Sequence, residues 1–348
     1  MRYKVLAIAL TTLALYALHT LSMYAEMNKQ LSKDVWMNAI ASSGKKFAHL
    51  TDLRGLEQFI AREEAELKIR DRHQKTFIWA KPSEPYRKQK WAIVYVHGFS
   101  AGPLELEPTV SKFAEKLEAN LYLTRLSAHG LSDGEQFANV KAQDWVRDVS
   151  EAVEVGKAIG DNILLMGTST GAALVLRYMD VAPLVNSSVR SLILLSPNYK
   201  VAAFGAEILG NKFGRSLARI LVGSHREFAP ENELHGDRWT TKYRSEALHE
   251  LLLVTLSARG VPLENLKIPV LTVYTKNDEV ISIHEIEKRA QQFRHPHSLT
   301  IDWPEGRRHE LASATFDSEK IEGLVSLLSD WVSKLKVGPW ENQNKSSD

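Results

Sequence analysis

Apolar residues recur along this chain in two alternating rhythms. Short runs rich in Val, Ile, Leu and aromatic residues occur at 91–96, 120–126, 162–167, 190–196, 268–275 and 298–303. Runs of this length bounded by turn residues predict buried strands. Between them lie stretches with apolar positions three and four apart, near 106–118, 139–159, 172–179, 283–293 and 318–336. That spacing predicts amphipathic helices. Strands and helices in alternation predict an α/β fold, with a mostly parallel central sheet flanked by helices.

The rhythm lapses twice. After 190–196 no strand pattern returns until 268, a gap too long for a bare loop. It holds apolar helical patterns near 201–222 and 243–258, which predict a helical insertion over about 200–262. At the other end, residues 52–66 carry helical spacing at Leu53, Leu56, Phe59 and Ile60. Residues 67–80 read as a hairpin leading into the sheet, and 26–50 as a polar linker with a short helix. The organisation expected is therefore 1–25 as a targeting segment, 26–64 as linker and helix, 65–336 as the main domain and 337–348 as a polar tail.

Residues 5–25 contain no Asp, Glu, Lys or Arg and follow Arg2 and Lys4. Their 21 residues suit a membrane-spanning helix (about 20 are needed) better than the shorter core of a signal peptide. The segment is expected to anchor the chain, with the folded domain outside the cytoplasm and periplasmic in a Gram-negative cell. Export followed by cleavage is the alternative. The 44 Lys and Arg nearly balance the 42 Asp and Glu, which argues against a nucleic-acid partner. Absence of Cys excludes disulfides, a thiolate metal site and a Cys nucleophile. No residue cluster suggests a metal or an organic cofactor, and nothing sets an oligomeric state.

The candidate chemistry begins at Gly167-Thr168-Ser169-Thr170-Gly171. A strand precedes it and a helix follows, so Gly-x-Ser-x-Gly sits in the context of a nucleophile elbow. A serine hydroxyl needs a base, and the base an orienting acid. In such folds the chain order is nucleophile, acid, base. Asp278 follows the strand at 268–275 and is the acid candidate; Glu279 is next to it, and spacing does not separate the two. His309 follows the strand at 298–303 and is the base candidate. His295 and His297 precede that strand, and His284 opens the intervening helix. Oxyanion donors come from the loop after an early strand and from the residue after the nucleophile. Here those are Phe99, in His97-Gly98-Phe99-Ser100, and Thr170. His97 is expected to hold that loop by hydrogen bonds.

With Ala128-His129-Gly130-Leu131-Ser132-Asp133-Gly134 after the next strand, these motifs resemble the α/β-hydrolase superfamily over about residues 65–336. The nearest resemblance is to monoglyceride lipases, lysophospholipases and serine aminopeptidase-like hydrolases, with Ala128 where that group often has Gly. The resemblance implies a serine hydrolase with a cap over its site at the 200–262 insertion. Ala202, Phe204, Ile208, Leu209, Phe213, Leu217, Ile220 and Leu221 would then line an acyl pocket or pack the cap onto the core. The expected substrate is a small-molecule or lipid ester. An aminopeptidase is the first alternative, with Glu207 or Glu227 to bind a free amine. A catalytically silent binding protein is the second.

Overall fold

Residues 92–96 are all buried, and they divide by parity: Ala92, Val94 and Val96 pack on one side, Ile93 and Tyr95 on the other. A strand covered on both faces reads as a continuous apolar run, as this one does. The computed structural model describes residues 32–43, 46–47, 52–181, 188–203, 205–210, 213–306 and 308–336. The 5–25 segment, Phe204 and the 337–348 tail lie outside these. Among the described residues no helix is long and apolar enough to cross a membrane.

In chain order the elements are α1 (Lys33–Ser43), α2 (Leu53–Ala65), β1 (Thr76–Ile78), β2 (Gln89–Val96), α3 (Thr109–Lys116), β3 (Asn120–Leu123), α4 (Ala142–Ile159), β4 (Gly160–Thr168), α5 (Thr170–Val181) and β5 (Val189–Leu195). There follow α6 (Gly214–Val222), β6 (His225–Glu227), α7 (Glu233–Arg238), β7 (Lys242–Arg244) and α8 (Ala247–Arg259). The main domain resumes with β8 (Val270–Tyr274), α9 (Ile283–Ala290), β9 (Leu299–Asp302) and α10 (Ile321–Lys336).

Seven strands form one sheet in the order β1-β3-β2-β4-β5-β8-β9. Only β1 is antiparallel to its neighbour. Helices α1, α2, α4, α5 and α8 supply the core on one face, and α3 and α10 on the other. This is the expected architecture. The loops after β2, β4, β8 and β9 open at the same edge, where ligands bind in open α/β sheets.

Two local expectations are corrected. Residues 67–80 form no hairpin: β1 alone joins the sheet edge, and Ile69 makes only an isolated bridge to Leu131. Buried polar side chains take the place of strand pairing there. His73 meets the Asp237 carbonyl at 2.8 Å, and Arg70 donates to the Trp239 carbonyl at 3.1 Å. Second, α1 docks on the domain instead of lying in a linker. Trp36 is fully buried under Arg177, and Lys33 pairs with Asp180 at 2.7 Å. The insertion is mostly helical as expected, and β6 and β7 form an antiparallel ribbon within it.

Candidate active site

β4 ends at Thr168 and α5 begins at Thr170, which leaves one residue to turn the chain. That residue is Ser169, held at φ 53°, a left-handed conformation that costs a non-glycine residue energy. Three hydrogen bonds keep it there. Its N–H donates to the Leu195 carbonyl at 2.8 Å, and its carbonyl accepts from the N–H groups of Asn198 (3.1 Å) and Ala173 (3.2 Å). The turn also needs its glycines. A Cβ on Gly171 would lie 2.1 Å from the Val96 carbonyl oxygen, and one on Gly167 would lie 2.6 Å from the Ala172 nitrogen.

Asp278 and His309, 31 positions apart, meet across the ends of β8 and β9. His309 Nδ1 is 2.6 Å from Asp278 Oδ2, and both residues are buried. Asp278 Oδ1 accepts from the N–H groups of Val280 (2.8 Å) and Ile281 (3.2 Å), so the carboxylate is fixed as an acceptor. Burial alone would lower the His309 pKa. The hydrogen bond and charge of Asp278, helped by Glu310 and Glu105, outweigh it and raise the imidazole above its ordinary 6.5. Glu279, the rival in sequence, is exposed. His284 is exposed on α9, and the His295 and His297 rings lie 5.8 Å apart, tilted to each other, before β9.

The His97-Gly98-Phe99-Ser100 loop is held from below by His97. Its Nδ1–H donates to the Gly98 carbonyl at 2.8 Å, while Nε2 accepts from the Leu126 N–H at 3.0 Å. That pattern requires a neutral ring, and full burial keeps its pKa well below 6.5. His129 is likewise kept neutral, its pKa lowered by burial to about 3, with Nδ1 at 3.0 Å from the Ser127 carbonyl. Among the described residues, the backbone N–H groups of Phe99 and Thr170 donate to no carbonyl. Thr170 N–H also opens helix α5, where the helix dipole favours negative charge.

The cap reaches this site through Phe99. The Phe99 ring stands edge-on to Tyr243 of β7 at 5.2 Å and packs against a cap cluster of Leu209, Leu217, Ala218, Leu248, Leu251 and Leu252. The Ser100 carbonyl accepts from Thr240 N–H at 2.6 Å. The remaining cap candidates part company here. Ile208, Phe213, Ile220 and Leu221 are exposed, Ile220 by 77%, so they do not line an enclosed pocket. Helix α6 is amphipathic, and its inward face carries only Leu217 and Ala218 to the cluster.

One further residue belongs to the site, and sequence reasoning missed it. Glu105 is fully enclosed and accepts on Oε2 from Gly98 N–H (2.9 Å) and Tyr95 O–H (2.7 Å). Burial pushes its carboxyl up to about 7. The available signal was an acid within a run of small and apolar residues, Ala101-Gly102-Pro103-Leu104-Glu105-Leu106.

Sheet order, strained serine and buried His–Asp pair together define an α/β hydrolase. The family profile of serine aminopeptidases, S33, matches residues 87–315, well over half the chain, and the chain belongs to that hydrolase family. No curated protein matches it. Among solved structures it is similar to a structure reported for the metagenome-derived lipolytic enzymes LipS and LipT. The TM-score is 0.60 at 17% identity, covering 76% of this chain and 99% of the other. It is also similar to a soluble variant of the Saccharomyces cerevisiae monoglyceride lipase, with TM-score 0.58, 14% identity and 75% and 91% of the two chains covered. The Paleococcus ferrophilus monoacylglycerol lipase gives 0.52 at 14% identity, over 74% and 98%. At such identities these likenesses carry the fold alone.

Proposed function

We propose that this hydrolase cleaves carboxylic esters through an acyl-enzyme formed on Ser169. The observation that carries the reading is Ser169 fixed at φ 53° between β4 and α5, at the same sheet edge as a His309–Asp278 pair 2.6 Å apart. With Nδ1–H committed to Asp278, His309 presents Nε2 as the base. Ser169 Oγ attacks the acyl carbonyl as His309 takes its proton. The carbonyl electron pair moves to oxygen, which the Phe99 and Thr170 N–H groups hold. Collapse expels the alcohol, which recovers the proton from His309, and water repeats the sequence to release the acid. Labelling of Ser169 by a fluorophosphonate tests the assignment. A non-catalytic binding protein would stay unlabelled.

The pH profile follows from the His309–Asp278 pair. The base works neutral, and Asp278 favours the charged ring, so the pKa lies above 6.5. Activity should rise with pH through that raised value. Asp278→Asn should move the acidic limb of kcat/KM downward while lowering its plateau. An unmoved limb in that variant would show that Asp278 does not act on His309.

An apolar ester is favoured because Phe99 ties the site to the leucine-rich inner face of the cap. Each added methylene should improve affinity about fourfold until the pocket is full, at roughly 0.8 kcal/mol per CH₂. kcat/KM for p-nitrophenyl esters is therefore expected to climb over a few carbons and level off. Leu217→Glu should weaken long-chain esters more than acetate. A flat profile would remove the acyl-pocket idea and leave the serine chemistry standing. The aminopeptidase reading has less support, because the two carboxylates named for it are engaged with cations. Glu207 pairs with Arg259 at 2.6 Å, and Glu227 with Lys242 at 3.2 Å. Comparing ester with aminoacyl-amide hydrolysis separates the two.

We further propose that residues 5–25 tether the hydrolase to a membrane, which would hold the site near lipid. A reporter that works only outside the cytoplasm, fused after residue 50, should be active, and salt-washed membranes should retain the protein. Intact protein in the cytosolic fraction would contradict both anchor and cleaved signal.

A further inference from the structure

The two oxyanion donors proposed above come from separate loops. Phe99 lies on the loop after β2, and Thr170 on the turn after β4. Their spacing matters, because a displacement of about 1 Å in such a site costs on the order of 100-fold in rate. One buried chain of hydrogen bonds joins the loops. Gly98 N–H, one residue before Phe99, donates to Glu105 Oε2 at 2.9 Å. Tyr95 O–H donates to the same oxygen at 2.7 Å. Tyr95 has one proton to give, so Thr168, next to Ser169, donates its hydroxyl to Tyr95 at 3.0 Å. Gly98 also lies between that carboxyl and the nucleophile's own residue. A Cβ placed on Gly98 would meet Glu105 Oε1 at 2.6 Å and Ser169 Cβ at 3.3 Å.

We propose that Glu105 is a positioning residue, whose carboxyl bridges the two loops through Tyr95 and Thr168 and so sets the geometry of the oxyanion hole. The inference rests on Ser169 being the nucleophile. Burying a carboxyl has a cost that packing alone does not explain. The surroundings of Glu105 oppose one another. Burial and the charge of Glu310 disfavour its ionised form, while Tyr95, Gly98 N–H and His309 favour it. Glu107, beside Arg238, acts on Tyr95 from the next turn. With the folded pKa at about 7 against 4.5 unfolded, the folded protein holds the proton more tightly. Stability therefore falls as pH rises between those values. A residue kept at that cost is expected to serve the reaction.

Three variants test this with two readouts, the rate of fluorophosphonate labelling and kcat against KM on a p-nitrophenyl ester. Glu105→Leu removes the acceptor. Labelling rate and kcat should fall about 100-fold, with KM nearly unchanged. Glu105→Gln keeps an acceptor for both donors and should restore most of the rate. It should also melt no lower than wild type at pH 8, because it carries no buried charge. Tyr95→Phe cuts the bridge at its middle, removes both hydrogen bonds of that hydroxyl, and should cost about 25-fold, roughly fivefold for each. If Glu105→Leu fails to fold, the other two variants decide. Wild-type rates in Glu105→Leu or Tyr95→Phe would overturn the bridge, as would a folded Glu105→Gln no faster than Glu105→Leu. Failure of wild-type protein to label would instead overturn the Ser169 reading itself.

Discussion

Ser169→Ala is expected to lower turnover by about 10⁴–10⁶-fold, and His309→Ala by as much, because nucleophile and base act as a unit. The double variant should therefore be no worse than either single one. Asp278→Asn should cost less, since it leaves both reacting groups in place and disturbs only the tautomer and charge of His309. Glu279→Gln should be silent, because Glu279 is exposed while Asp278 alone meets His309. Steady-state hydrolysis of a p-nitrophenyl ester reads all five variants. Near-normal activity in Ser169→Ala would end the mechanism. A crippled Glu279→Gln beside a mild Asp278→Asn would reassign the acid only.

Gly171→Ala should also be damaging, though less so, and through geometry instead of chemistry. Its methyl group would lie 2.1 Å from the Val96 carbonyl oxygen and 2.5 Å from that of His97, both backbone atoms at the root of the oxyanion loop. Neither can rotate aside, so α5 or the end of β2 must shift. Overpacking of this kind costs up to about 3 kcal/mol, and sometimes more. A shift of about 1 Å between Ser169 and the Phe99 N–H should slow labelling on the order of 100-fold. Gly260→Ala is the control, since its nearest neighbour would be at 3.5 Å, an ordinary contact. Thermal melting and labelling rate together check the result. Wild-type kinetics in Gly171→Ala would mean that strand and helix are not held as closely as described.

The strands, their order of chemistry and the elbow were legible because each is written locally. A strand buried on both faces is an apolar run, and residues 91–96 and 268–275 show it directly. The turn at Ser169 demands glycines two before and two after, and those are in the text of the chain. Chain order then pointed to His309 and to the adjacent acids Asp278 and Glu279, each just past a strand. Boundaries were less legible. The strand expected at 120–126 ends at Leu123, because Thr124 and Arg125 turn inward to the Tyr95 carbonyl and Glu64.

The choice of Asp278 over its neighbour Glu279 was beyond the sequence, since adjacent residues share every local signal and differ only in which side chain the β8 turn aims inward. The same holds for the cap. Apolar spacing at 201–222 marked an amphipathic helix but not which face is covered, and Ile220 proves exposed where Leu217 packs toward Phe99. Glu105 lay further out of reach. It bonds Tyr95 and Gly98, and the hydrogen-bonded chain runs on from Tyr95 to Thr168, 73 positions away on another strand end. Local pattern thus determined the fold and named the candidate reacting groups. Only tertiary packing, which brings distant strand ends together and excludes water from between them, decided which carboxyls are buried and what they hold.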